Sequence, residues 1–261
     1  MGHTRIGRIP KSKSWEKIIE LLNSSGDETQ RLSKEDIASI ANESILATEK
    51  GLIEASNDGG VYNAIFIVAK ILESIATKAE SSEYYIDINK IADSREFAFE
   101  IHSRVRSFLV ENCFSSDKSE IALKSISRSI LEATAQKQLS LDGIDSGNEL
   151  RKLASKKGFA EFGQRFIANY TYSYINFFLS RVSNYSVGGE RLQNINQLSS
   201  FNAENQKHWI ESAYIVRDLS GFWFAKSAFH EKNITPQSVR AYLSLAFRKM
   251  SSEARAQRGK Q

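Results

Sequence analysis

The segment VYNAIFIVAKILESI, residues 61–75, decides the fold. Val61, Ala64, Ile65, Val68, Ile71, Leu72 and Ile75 recur at spacings of three and four, the period of a helix that lays one face on a core. Asp58-Gly59-Gly60 breaks the chain ahead of it and separates it from a second helical pattern, Ile37, Ile40, Ala41, Ser44, Ile45, Thr48 and Leu52. Ser33 and Asp36 have the spacing of a capping box for that second helix, and Leu32 is placed to staple against Ile37. Further upstream, Trp15, Ile18, Ile19 and Leu22 predict a short helix over 15–22. Downstream, Asp93 with Glu96 announces a helix carrying Phe97, Ile101, Val105, Phe108 and Leu109. Asp117 with Glu120 does the same for Ile121, Ile126, Ile130 and Ala133.

The second half repeats this logic with aromatic residues. Phe159, Phe162, Phe166, Tyr170, Tyr174 and Phe177 fall within an arc of roughly 120° on a helical wheel. From Tyr172 onward the opposite side carries Ile175, Phe178, Leu179 and Val182, so this helix is apolar nearly all round and belongs at the centre. Shorter helices are predicted at 191–199, 204–219 and 222–231, with Gly221 as a break. Thr235 as cap, Pro236 in the first turn and an Ile234–Val239 staple predict a last helix over 236–256. The expected fold is all-α: a multi-helix bundle with an acidic N-terminal helical half and a basic C-terminal helical half around a central aromatic-rich helix. Only two prolines fit this, no fixed-period repeat is present, and wholly apolar runs such as Ala64–Ala69 are too short to span a bilayer. No membrane partner is expected.

Charge divides the chain. Residues 1–14 hold four Lys/Arg and no acid, residues 15–145 hold 14 against 23, and residues 146–261 hold 17 against 8. The reading is a basic flexible arm (1–14), an acidic helical bundle (15–145) and a basic helical bundle (146–261), with the boundary in the glycine- and amide-containing stretch Leu139–Asn148. The single Cys113 rules out an intramolecular disulfide and is expected to be a buried, inert thiol beside Val110 and Phe114. The N-terminus lacks the apolar core of a secretory signal, and the cytoplasm is the default location.

Two basic features are candidate phosphate contacts. Arg5, Arg8, Lys11 and Lys13 have the makeup of an arm that enters a minor groove or follows a backbone. On the last helix Arg240, Ser244, Arg248, Ser251 and Arg255 share an arc of roughly 80°, opposite the apolar Val239, Tyr242, Leu243, Ala246, Phe247 and Met250. Arg258 and Lys260 extend the charge past the helix end. The segment SVRAYLSLAFRKM, 238–250, resembles the recognition helix of LuxR-type helix-turn-helix regulators, which implies a DNA-reading role for Arg240, Arg248 and Lys249. The aromatic stripe reads as scaffold.

Signals for catalysis are sparse. The chain has no GxxxxGK[ST], HExxH or GxSxG motif, and His3, His102, His208 and His230 show no metal-ligand spacing, so neither cofactor nor metal is expected. Arg95 and His102 resemble the R-x4–6-H pattern of the all-helical HEPN ribonucleases, which implies phosphate binding by Arg95 and proton transfer by His102. The expected function is non-catalytic binding of DNA or RNA through the arm and the last helix, as a subunit of a larger assembly. The alternatives are a charge-driven protein-interaction or self-associating adaptor, and a metal-independent HEPN-like ribonuclease.

Overall fold

The computed structural model describes residues 9–23, 32–135, 146–189 and 191–259, and they form an all-α fold. The helices are α1 (Lys13–Asn23), α2 (Lys34–Ala55), α3 (Gly59–Thr77), α4 (Ser94–Glu111), α5 (Asp117–Ala135), α6 (Ser146–Leu153), α7 (Lys156–Tyr185), α8 (Ile195–Ser212), α9 (Arg217–Ala225) and α10 (Pro236–Arg258). A 3-10 turn, Ala213–Val216, joins α8 to α9, and a π turn, Lys226–His230, follows α9.

Local chemistry sets the ends of these helices. Ser33 and Asp36 close the expected capping box, and Thr235 and Ser238 close another with Pro236 beginning the first turn of α10. Asp93 accepts from the amides of Arg95 and Glu96 at the start of α4. The start of α5 differs from expectation: Ser116 and Ser119 exchange hydrogen bonds there, and Asp117 already lies inside the helix. Gly221 is also not a break. It lies inside α9, where its missing side chain lets the helix sit directly on the first turn of α7.

The apolar faces meet in one core that runs from Trp15 to Ala254. The 30-residue α7 is central, with α5 on one side, α9 on another and α2 and α8 around it. Its aromatic stripe is packed ring on ring, as from Phe166 to Tyr170 (5.8 Å) and on to Phe247 of α10 (5.6 Å). The scaffold role expected of the stripe is therefore what it performs. α3 is long and apolar enough to pass for a membrane span, yet its residues face α4, α5 and α10 rather than an open surface. α2 and α10 run antiparallel, with Arg240 bonded to Asn57 at one end and Arg258 to Glu43 at the other. The sign change of charge near residue 146 is thus not a gap in packing, because helices from both sides share this core. Cys113 corrects its expectation: it follows the C-cap of α4 at φ 57°, which turns the thiol outward while Phe114 packs on Phe108.

Candidate functional site

The basic face of α10 lies where the wheel puts it, but its outlook is acidic. The Arg240 guanidinium donates to Asn57 Oδ1 (2.6 Å), Arg255 pairs with Glu49, and Arg258 Nε reaches Glu43 Oε1 at 3.1 Å. Lys17 of α1 shares that same Glu43 oxygen at 3.1 Å. Ser251 is fully buried and Ser244 half-buried at the same contact. Of the sequence-derived candidates on this helix, Arg248 is exposed and Lys249 half-buried, and neither has an acidic partner among the described residues. Lys11 and Lys13 are exposed, Lys13 being the first residue of α1, whereas Arg5, Arg8 and Lys260 lie outside the described residues.

A different surface gathers cations toward solvent. Arg151 and Lys152 end α6, and Lys156 and Lys157 begin α7 after the N-cap Ser155; all four are exposed, and no acid interrupts the run. Gly158 makes the corner tight: a Cβ there would collide with the Lys152 carbonyl oxygen, so only glycine lets the two pairs of cations come together. Arg151 also donates to Asn89 (2.7 Å), which ties α6 to the 3-10 turn Ile88–Lys90.

α9 brings aromatic rings to this corner. A Cβ on Gly221 would lie 2.9 Å from the Lys156 carbonyl oxygen, so glycine sets the approach and its neighbour Phe222 lands beside Lys156. The Lys156 ammonium sits 3.7 Å from the Phe222 ring centroid, although that residue remains 61% exposed. Beneath, Phe224 stacks on Phe159 at 4.3 Å with 3° between the rings, which fixes α9 on α7. One turn beyond Lys157, Glu161 binds Arg217 (2.9 Å), and Arg217 in turn covers the exposed ring of Tyr214 at 5.7 Å. Glu231 likewise pairs with Lys226 (3.3 Å), past the end of α9. Sequence reading passed over this site because it draws on three helices, from Arg151 to Phe222. The acid-free run RKLASKK, 151–157, is the signal that marks it.

Arg95 and His102, the candidates for catalysis, take separate partners. The Arg95 side chain is 85% exposed and bound to the carboxylate of Asp93 (3.0 Å). The Glu96 and Arg95 amides, with that guanidinium, hold the Asp93 carboxyl below its usual range. His102 Nδ1 lies 3.1 Å from Ser127 Oγ of α5, and the helical rise along α4 from Arg95 to His102 is about 10 Å. His208 lies in a cleft of about 360 Å³ between α2 and α8 with lysines and glutamates of both helices. Among the described residues no three His, Cys, Asp or Glu side chains form a metal-binding group. Comparison with protein-family models, curated proteins and solved structures finds no match.

Proposed function

We propose that this chain is a non-catalytic nucleic-acid-binding protein that works as a subunit of a larger assembly. The observation that carries the reading is the exposed corner of Arg151, Lys152, Lys156 and Lys157, four cations held together by the α6–α7 turn with an aromatic side chain beside them. Clustered exposed cations suit phosphates, because each contact releases condensed counterions into bulk solution. Lys11, Lys13 and Arg248 add charge elsewhere, whereas Arg255 and Arg258 are engaged by α2 and belong to the fold rather than to the interface.

The assembly half of the reading rests on α4. Phe99 and Val110 lie eleven residues apart, which returns to nearly the same side of the helix, and both remain largely exposed. A mobility shift repeated at several salt concentrations tests the main claim. Log affinity falls linearly with log salt if phosphate contacts dominate. Absence of a shift at low salt with DNA and RNA alike refutes it.

A further inference from the structure

Resting on that reading, we infer that the ligand is single-stranded, with an unpaired base stacked on Phe222 and its backbone following the cations of the α6–α7 corner. A duplex hides the faces of its bases, and a protein that grips it needs a protruding element for a groove. On the basic face of α10, Arg240, Arg255 and Arg258 are engaged by residues of α2 and its C-terminal end, which leaves Arg248 as a single cation without an acidic partner among the described residues rather than a row for a groove. What the corner offers instead is a ring face. Phe222 gains little by exposure in water, and the ammonium over its ring is that of Lys156, on a long flexible stem that follows a phosphate once a base takes the ring.

The arrangement recurs on either side of α9. Tyr214, in the 3-10 turn before the helix, is also 61% exposed and covered by a cation, Arg217, and Phe229, in the π turn after it, is exposed against Phe224. Exposed rings spaced along the chain near cations are the two components of sequence-tolerant single-strand binding. The backbone that carries Phe222 is fixed on α7 by the stack of Phe224 on Phe159, so stacking a base on the exposed ring requires no prior rearrangement of the backbone.

Fluorescence anisotropy on the full chain decides the matter, with labelled oligothymidine and oligouridine of about 16 nucleotides and a duplex of equal length. The inference expects both single strands to bind at least about tenfold more tightly than duplex. Phe222→Ala should weaken single-strand binding by roughly 5- to 100-fold, with the salt slope unchanged, and Phe222→Trp should retain it. Circular dichroism confirms that each variant is folded, as expected for an exposed side chain. Duplex binding equal to or tighter than single-strand binding, or wild-type affinity in Phe222→Ala, overturns the inference while leaving nucleic-acid binding intact. Failure to bind any of the three overturns both.

Discussion

At the residue scale, Glu43 is the most consequential single group. It is 1% exposed, and one of its oxygens takes both Lys17 and Arg258, so a lone carboxylate fastens α1 and the end of α10 to α2. The two cations are about half exposed and survive the loss of their partner in water, whereas the carboxylate does not. Lys17→Ala or Arg258→Ala alone should therefore cost about 1 kcal/mol, because the other cation remains. The double variant should cost about 3 kcal/mol or more, beyond the sum of the two. Urea unfolding of the four proteins measures this, and strictly additive losses would contradict the shared clasp. Tyrosines supply a second residue-scale prediction. Burial raises Tyr170 well above its usual range, with Asp58 and Tyr174 adding to it, and pushes Tyr174 up to about 12. Burial likewise raises Tyr242, against a smaller opposite effect from its hydrogen bond with Ser220. Unfolded tyrosines lose their protons near pH 10, before these do. Stability is therefore complete below about pH 10 and declines above it, by up to about 1.4 kcal/mol per pH unit for each tyrosine. Denaturation midpoints across alkaline pH should show this fall, and Tyr242→Phe should make it shallower; a flat profile would count against the burial.

At the scale of elements, two glycines build the cationic corner. Gly158→Ala forces a methyl against the Lys152 carbonyl, and Gly221→Ala wedges α9 from the first turn of α7. Each should cost about 1–3 kcal/mol, read as a lowered unfolding midpoint. Gly221→Ala should also weaken nucleic-acid binding, because it moves Phe222 away from Lys156. Loss of stability with unchanged binding would show that the α9 contact does not position the site. The same glycines mark where sequence reading stops. Periodicity places α3 and α10 well, since Val61–Ile75 and Val239–Met250 bury the residues their spacing selects. Capping chemistry fixes the starts of α2 and α10 for the same local reason. Gly221 was legible only as a break, because close approach to another helix leaves no trace in the neighbouring residues. Arg255 and Arg258 read as solvent-facing for a related reason: a wheel gives the direction of a side chain but not what stands opposite.

At the scale of the molecule, the opposed charges along the chain meet within it. Arg191 reaches Asp36 at 2.9 Å, Arg165 reaches Glu132 at 3.5 Å, and the α10 arginines reach Glu43 and Glu49, so much of the segregation is compensated across the shared core. Charge-driven self-assembly, one of the readings open from sequence, thereby has fewer free groups to draw on. Because α5 packs on α7 and α2 on α10, a fragment comprising residues 146–261 should lack the cooperative unfolding transition of the whole chain, as circular dichroism during heating would show. A sharp transition in that fragment would mean that its helices have a sufficient core of their own. Four exposed cations stand together at the α6–α7 corner, and the central claim is that this cluster holds nucleic acid. Its most direct measurement is the salt dependence of single-strand affinity in two variants. Replacing Arg151, Lys152, Lys156 and Lys157 together by Ala should flatten the log–log slope by about 3, near 0.7 for each lost contact. Replacing Arg255 and Arg258 should lower stability but leave the slope as in wild type. An unchanged slope in the corner variant, or a flattened one in the α10 variant, would contradict the account.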